Sequence, residues 1–392
     1  MKLWPTTAKL DRRAEKFTVG NDPVIDLEFI EYDCRASIAH ARMLHKIGIL
    51  SSKEARGLER ELKKIISLGR QKKFKIRDEE EDAHTAIENH LTREIGPAGK
   101  KIHTGRSRND QVLVAVRLYS KDRLDRLDGY LRSLIGTLSQ LSYKTRKWPM
   151  PGYTHSRKAM PYSVGKYFGA FREAFKDDLQ HLRDVYRLID QNPLGSVAGY
   201  GTTLRLDRTL TTRLLGFRKT QTNELYAQNS RGKFESLILS ALVQVLLDIE
   251  RLANDLILFS REEFGYFHLP HRLTTGSSVM PQKRNPDVLE IARANFALVH
   301  SCYLQIIETI KGLPSGYHRD LQLIKEPLVR GFNKTIETVE CMRLVLENLH
   351  MNRTRCGQAC TQEINAAAEA NELVLKGIPF RDAHRQIALK YK

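Results

Sequence analysis

Apolar residues recur every three or four positions over several long stretches, which is the spacing of one face of an α-helix. The stretch 233–262 shows this best, with Leu239, Leu242 and Leu246 among the recurring residues. Four other stretches share the spacing: 111–146, 162–190, 287–311 and 326–350. The alternation of apolar and polar residues that is typical of half-buried strands is nearly absent. The pattern predicts an all-α protein with five long helices at its centre.

Helical patterns before residue 111 are shorter. One covers 36–47, and a capping box at 51–54 begins the next helix. We therefore expect three domains along the chain. They are an N-terminal helical domain at 1–110, a central domain of long helices at 111–350 and a short C-terminal helical domain at 351–392.

The most hydrophobic stretch, 236–247, is interrupted by Asp248. It falls short of the roughly 20 apolar residues that a membrane span needs, so a buried bundle helix is the better interpretation. Residues 1–5 lead into charged sequence rather than into the apolar segment of a signal peptide. We expect no membrane association. Long apolar helices need partners to cover them, which favours an oligomer.

The net charge of +18 is the unusual feature of the composition. It permits contact with nucleic acid, but the basic residues are spread along the chain among acidic ones and no recognition motif accompanies them. A cationic surface directed partly at an acidic substrate explains the charge as well, so nucleic acid is the least favoured partner. Five cysteines without metal-ligand spacing fit a reducing cytoplasm best.

The most distinctive stretch is 275–287, called the signature loop below. Gly276 allows close approach of the backbone to a ligand, and Pro281 stiffens the turn that follows two serines. Consecutive backbone N–H groups together with Lys283 and Asn285 form a suitable cradle for a carboxylate. The alternative is a solvated linker between two helices.

Three further clusters lie in or near the connections between helical patterns. The first, 101–111, contains Ser107, Arg108 and Asn109 at a helix start, where they can bind carboxylates; the alternative is that Asn109 or Asp110 caps the helix. The alternatives are not exclusive.

In the second cluster, 151–156, a stiff turn carries His155, which can act as an acid or base near neutral pH or serve a structural role. The third, 312–326, presents Tyr317, Gln322 and Lys325 to a polar ligand unless it is a solvated loop.

The signature loop resembles that of the fumarase/aspartase superfamily of lyases, whose pattern is Gly-Ser-Ser-x-Met-Pro-x-Lys-x-Asn. Every fixed position is present between Gly276 and Asn285. The stretches His103–Gln111, Pro151–His155 and Gly312–Gln322 are similar to motifs of the argininosuccinate lyases, in the same order. The resemblance runs from about Phe17 to the C-terminus.

This resemblance implies a β-elimination that splits argininosuccinate into arginine and fumarate, without a metal or other cofactor. It also implies a three-domain subunit with a central five-helix bundle, in a homotetramer with a twenty-helix core and sites assembled from three subunits. The alternatives are another fumarate-releasing lyase, acting on adenylosuccinate, malate or aspartate, and a non-catalytic structural protein on the same scaffold.

Roles carry over from the resemblance position by position. Ser277 matches the catalytic base, and Lys283 and Asn285 match residues that hold the developing carboxylate charge. His155 matches the acid-side histidine and Glu290 its carboxylate partner. Nine positions match substrate-binding residues: Asp26, His84, Ser107, Arg108, Asn109, Thr154, Tyr317, Gln322 and Lys325.

Some positions depart from the family pattern. Ser156-Arg157 replaces Leu-Gln, and Asn229–Gly232 replaces a Ser-Asp-Arg-Asp cluster. The N-terminal Trp-Gly-Gly-Arg-Phe is reduced to Leu3-Trp4-Pro5, and the chain ends soon after Phe380. These departures concern substrate contacts and C-terminal packing rather than the expected proton-transfer residues. A serine needs stabilisation of its alkoxide to act as a base, so we expect the signature loop to close over the substrate.

Overall fold

The computed structural model describes residues 11–77 and 79–391. The departure at Leu3-Trp4-Pro5 lies outside these residues. The protein is mostly helical with little strand, so the predicted all-α class is confirmed. The helices of the described part are α1 (Arg12–Val19), α2 (Asp22–Ile25), α3 (Ile30–Lys46), α4 (Ser52–Arg70), α5 (Ala83–Ile95), α6 (Pro97–Lys100), α7 (Arg108–Lys144), α8 (Val164–Ile189), α9 (Arg208–Leu214), α10 (Glu224–Asn229), α11 (Lys233–Phe259), α12 (Asp287–Ile310), α13 (Lys325–Glu347), α14 (Arg353–Gln358), α15 (Ala366–Leu375) and α16 (Phe380–Lys390).

The five long helices α7, α8, α11, α12 and α13 lie where the apolar spacing predicts them, with ends within a few residues. Their packing together as one central bundle stays a prediction. None of the helices in the described part of the chain is long and apolar enough to cross a membrane.

Contacts divide the chain into two compact units, each built from three segments. Unit 1 comprises Met1–Leu127, Leu182–Leu242 and Val299–Asn333. Unit 2 comprises Asp128–His181, Val243–Leu298 and Lys334–Lys392. The three domains predicted along the sequence, with boundaries after residues 110 and 350, stay a prediction.

Part of unit 1 is organised around helices α3, α4 and α5. Leu44 of α3, Leu62 of α4 and Leu91 of α5 are fully buried in one apolar cluster. The predicted capping box begins α4: the Ser51 side chain accepts from the Glu54 N–H at 3.3 Å, and the Glu54 carboxylate accepts from the Ser51 N–H at 2.8 Å. This small core holds the first segment of the chain in place for the polar pocket described below.

Unit 2 contains a hairpin where the sequence predicts only an irregular connection. Strands β1 (Pro149–Thr154) and β2 (Arg157–Ser163) pair antiparallel, with Thr154 opposite Arg157. His155 and Ser156 form the two-residue turn, and their φ angles of 51° and 60° are those of a type I′ turn. The three prolines within these strands interrupt the alternation of apolar and polar residues, so the sequence pattern did not indicate the pairing.

The remaining strands are short: β3 (Gln191–Asn192) pairs parallel with β4 (Lys219–Thr220), and β5 (Phe267–His268) pairs antiparallel with β6 (His350–Met351). In unit 2, the Tyr153 hydroxyl lies 2.6 Å from that of Tyr266, and the Tyr153 ring contacts Phe259 and Phe264. These aromatic contacts hold the strand just before the turn, and Thr154 and His155 follow at the exposed tip.

Candidate active site

A polar pocket in unit 1 gathers charged side chains from five separate stretches of the chain. Seven of the predicted substrate-binding residues line it: Asp26, His84, Arg108, Asn109, Tyr317, Gln322 and Lys325. Six other residues complete its wall: Asp22, Glu81, Asp82, Val112, Arg231 and Arg319. We call this set the unit 1 pocket. These residues lie far apart in the sequence, so local patterns do not indicate the pocket. The fold of unit 1 brings them together.

Lys325 stands at the start of α13 between two carboxylates. Its ammonium lies 2.8 Å from Asp22 Oδ1 and 2.5 Å from Asp26 Oδ1, and its side chain is only 4% exposed. Burial alone would lower the pKa of Lys325, but the two carboxylates outweigh it and raise that pKa. Burial raises the pKa of Asp22 to about 6, although the positive charge of Lys325 acts to lower it. The lysine therefore stays charged, and Asp22 titrates near neutrality.

His84 is held from behind by a carboxylate of the core. Its Nδ1 lies 2.5 Å from Asp33 Oδ2, and both side chains are almost completely buried. Burial would lower the pKa of His84, but Asp33 raises it, while His84 in turn helps to lower the pKa of Asp33 despite its burial. The pair places the imidazole of His84 in the pocket wall with Asp26, whose Oδ2 accepts from the Ala83 N–H at 3.2 Å.

Arg108, in the first turn of α7, is already engaged by protein acceptors. Its guanidinium lies 3.1 Å from Glu81 and 3.3 Å from Asp82, and it donates to the Thr85 hydroxyl at 2.7 Å. Arg319 pairs with the other oxygen of Glu81 at 3.0 Å. A ligand at this wall must therefore share or replace these contacts.

The side-chain amide of Gln322 is also engaged by protein acceptors, at the end of α1. Its amide nitrogen donates to the carbonyl oxygens of Thr18 at 3.2 Å and Val19 at 3.0 Å. The guanidinium of Arg319 also donates to the Thr18 carbonyl, at 2.9 Å. A substrate that binds Gln322 through its amide N–H groups must displace these two carbonyls.

Ser107 does not line the unit 1 pocket. Its hydroxyl accepts from the Asn109 N–H at 3.3 Å, and its own N–H donates to Asp110 at 2.9 Å. The Arg106 guanidinium donates to the Ser37 hydroxyl and the Ile102 carbonyl, neither of which lines the unit 1 pocket. Ser107 and Asp110 thus make capping contacts at the start of α7, and the substrate-binding role of Ser107 stays a prediction.

Sequence reasoning assigned no ligand role to Asp22, Glu81, Arg231 or Arg319. Asp22 begins the short helix α2, and Arg231 falls in the segment that departs from the family pattern. Nothing in the local sequence distinguishes these charges from solvated ones. Only the tertiary fold brings them to the pocket.

The signature loop lies in unit 2 and is largely exposed. An isolated bridge closes its base, with the Thr275 N–H donating to Asn285 O at 3.1 Å and the Asn285 N–H donating to Thr275 O at 2.9 Å. Ser277 Oγ accepts from the Met280 N–H at 3.1 Å and the Val279 N–H at 3.3 Å. Two N–H donors on one hydroxyl oxygen stabilise negative charge there, which is what a serine base requires.

The other predicted residues of unit 2 are also accessible. Lys283 and Glu290 are exposed, as are Thr154 and His155 at the hairpin tip, and Asn285 is half-buried. The Asn285 side chain lies 3.4 Å from the Gly276 carbonyl oxygen, inside the loop. Unit 1 thus carries eight of the nine predicted substrate-binding residues, and unit 2 carries Thr154 and the five predicted catalytic residues.

Residues 11–77 and 79–391 contain no group of three His, Cys, Asp or Glu side chains placed to hold a metal ion.

Known proteins resemble this chain along its length. A model of the family described as lyase matches residues 6–299. The argininosuccinate lyase of Thermotoga neapolitana is 44% identical over 390 residues, which cover 100% of this chain and 98% of that protein. The argininosuccinate lyase of Sorangium cellulosum is 43% identical over 388 residues, covering 99% and 90%.

Solved structures resemble it as well. EDDS lyase in complex with formate superposes with a TM-score of 0.83 at 25% identity, covering 98% of this chain and 76% of that one. Class II fumarase from Schistosoma mansoni has a TM-score of 0.76 at 17% identity, covering 97% and 93%, which shows a shared fold. Fold and sequence therefore define a lyase. The chain belongs to the lyase family and, within it, to the argininosuccinate lyases.

Proposed function

We propose that this protein splits argininosuccinate into arginine and fumarate by β-elimination. The observation that carries the proposal is the identity of 43–44% with argininosuccinate lyases over nearly the whole of each chain. The charged residues of the unit 1 pocket support it, because the substrate carries both carboxylates and cationic groups.

The reaction begins with removal of a proton from the carbon next to a carboxylate of the succinyl portion. We assign this step to Ser277, whose Oγ accepts two backbone N–H groups. Negative charge then builds on the carboxylate, and Lys283 and Asn285 stabilise it. One well-placed donor of this kind contributes on the order of 10²–10³-fold in rate.

The exposure of these residues implies a conformational step before chemistry. In water, the contribution of Lys283 would be small, because a high dielectric weakens charge interactions. Closure of the signature loop over the substrate removes water and strengthens these interactions. The C–N bond then breaks: its electron pair passes to the guanidino nitrogen, and a C=C bond forms in fumarate. Delocalisation in the guanidino group lessens the need for a strong acid, so His155 with Glu290 serves to position the substrate or a water that relays a proton to that nitrogen.

The unit 1 pocket takes the arginine portion of the substrate in this proposal. Asp22, Asp26 and Glu81 suit its ammonium and guanidinium groups, and Asn109, Tyr317 and Gln322 provide neutral hydrogen-bonding groups. Thr154 is proposed to contact the substrate from the hairpin tip.

We further propose a homotetramer in the cytoplasm, in which each site combines residues from three subunits. Large apolar side chains exposed on the long helices support association: Ile291 is 63% exposed, Leu304 45% and Leu344 43%. Sedimentation of the purified protein tests this. A fully active monomer would contradict it.

The direct test of the reaction is to follow fumarate by ultraviolet absorbance. Argininosuccinate, adenylosuccinate, malate and aspartate are supplied separately to the purified protein, with arginine measured in parallel. We expect fumarate and arginine in equal amounts from argininosuccinate alone. Turnover of another substrate without turnover of argininosuccinate would assign a different lyase activity, and no turnover of any would favour a structural role.

A further inference from the structure

A second cleft lies in unit 2, beside the hairpin of β1 and β2. It has a volume of about 470 Å³, which is within the range of sites for small molecules. Three of the side chains that line it are cations, Arg157, Lys158 and Arg355, and one is a carboxylate, Glu263. We call this the hairpin cleft. It shares no lining residue with the unit 1 pocket, so it is a separate candidate site.

The three cations of the hairpin cleft are not neutralised by protein carboxylates. Within the described part of the chain, none of them forms a salt bridge. Lys158 Nζ donates to the Thr361 hydroxyl at 3.4 Å, and Arg355 Nη2 donates to the Glu262 carbonyl at 3.1 Å. The Arg157 side chain makes no hydrogen bond to any described residue. Most N–H donors of these groups are therefore open to an anionic ligand.

The sequence around the hairpin adds to the positive charge. Residues 129–172 contain eight Lys or Arg and no Asp or Glu, although both signs are interleaved along much of the chain. Arg157 belongs to the pair Ser156-Arg157 that replaces Leu-Gln of the family pattern. This chain thus has a cation in the cleft where the family pattern has a neutral amide.

We propose that the hairpin cleft binds a small organic phosphate. Guanidinium groups present parallel N–H donors that match phosphate oxygens, and a phosphate ester carries a charge of about −1.5 to −2 at pH 7. Three cations and one carboxylate give the cleft a formal charge of +2, which such a group neutralises. This second site goes beyond the proposed lyase reaction and does not depend on it.

The organic portion of the ligand has a place in the same cleft. The rings of Tyr153 and Phe264 line it, with their centres 6.0 Å apart. Aromatic side chains offer apolar surface to a ligand, and a few polar groups then fix its orientation. A single phosphate ion would leave most of this volume empty, so we expect an ester rather than the free ion to be the ligand.

The test measures binding of four probes by isothermal titration calorimetry: pyrophosphate, adenosine monophosphate, adenosine and succinate. Each is titrated into the wild-type protein and into Arg157→Gln, which restores the residue of the family pattern at an exposed position. The titrations use about 0.15 M salt, because exposed charges more than about 8 Å apart are then largely screened.

We expect Arg157→Gln to bind both phosphate compounds about 5- to 20-fold more weakly, as for loss of a partly exposed, charge-assisted hydrogen bond. Adenosine lacks the phosphate and succinate is a dicarboxylate, so the affinity for each should agree between the two proteins within about twofold. A loss of succinate affinity as large as that of pyrophosphate would overturn the assignment to phosphates. Phosphate held in the unit 1 pocket would be insensitive to this variant and would also contradict the proposal.

Lys147→Gln is the matched control. Lys147 is an exposed cation of the same segment without acidic residues, but it does not line the hairpin cleft. This variant should bind pyrophosphate within about twofold of wild type, because its charge is screened from the cleft. Lys158→Gln, in contrast, should weaken pyrophosphate binding as Arg157→Gln does, and circular dichroism checks that each variant is folded.

Two outcomes would overturn the proposal outright. Equal losses in Lys147→Gln and Arg157→Gln would assign the binding to general surface charge. Wild-type protein that binds neither pyrophosphate nor adenosine monophosphate would show that the hairpin cleft is not a phosphate site. Neither outcome bears on the release of fumarate from argininosuccinate, which the ultraviolet assay decides separately.

Discussion

The unit 1 pocket and the signature loop carry the predicted functional residues in opposite states. In the pocket, Asp26, His84 and Lys325 are each 4% exposed and held by ion pairs or hydrogen bonds. In the loop, Lys283 is exposed, and Val279 is 82% exposed. The charged groups of the pocket are held by protein contacts, whereas the loop is exposed, as the proposed closure over a substrate requires.

This difference separates recognition from chemistry. Charges held by the surrounding fold give a ligand a defined geometry, once the ligand has shared or displaced the contacts that Arg108 and Gln322 already make. An exposed loop with few tertiary contacts is drawn from the less stable end of the structure, as segments that move in catalysis are. Changes in the pocket should therefore affect stability and affinity, and changes in the loop should affect turnover.

The largest effect is expected on turnover when Ser277 is replaced by Ala. Loss of the base should lower kcat for fumarate release about 10²–10⁴-fold, the usual contribution of such a group. The ultraviolet absorbance of released fumarate measures kcat, and circular dichroism checks that the helices persist. Ser278→Ala is the matched control, with a kcat expected to stay within about threefold. Equal losses in both variants would assign the effect to loop structure.

In the pocket, replacing Lys325 by Met should lower the free energy of unfolding. The change leaves Asp22 and Asp26 without their shared cation in a buried setting, which typically costs about 3–5 kcal/mol. Urea unfolding measures the free energy at neutral pH. An unchanged unfolding free energy would mean that the three charges are solvated.

The raised pKa of Asp22 should be visible in the pH dependence of the unfolding free energy. Its folded pKa of about 6 lies above its normal value of 3.8, so the folded state binds the proton more tightly. The stability from this group is present below pH 4 and is lost as pH rises to about 6. The Asp22→Asn variant lacks this loss and should gain stability relative to wild type over that range, by at most about 3 kcal/mol. Parallel stability curves for the two proteins would refute the raised pKa.

The smallest effect is expected when Lys283 in the loop is replaced by Met. Lys283 is exposed and forms no salt bridge within the described residues, so its replacement should change the unfolding free energy by under about 0.5 kcal/mol. The same urea series used for Lys325→Met measures it. A loss of unfolding free energy as large as that of Lys325→Met would show that the loop is packed against the protein, so that the loop and the pocket do not differ in this way.

Periodicity predicted the five long helices because each buries a continuous apolar stripe, which local sequence records directly. It did not predict the hairpin at 149–163, whose prolines break strand alternation, although the motif at 151–155 marked its functional part. Resemblance to a family supplied seven residues of the unit 1 pocket. It did not supply Asp22 or Arg231, because a charge becomes a ligand only through neighbours far away in the sequence.

Calorimetric titration of argininosuccinate into Ser277→Ala tests the separation of recognition from chemistry most directly. With the unit 1 pocket intact, this variant should bind argininosuccinate with a Kd within about tenfold of the wild-type KM, while releasing no detectable fumarate. Failure of the folded variant to bind argininosuccinate would contradict it, since the loop serine would then be part of recognition.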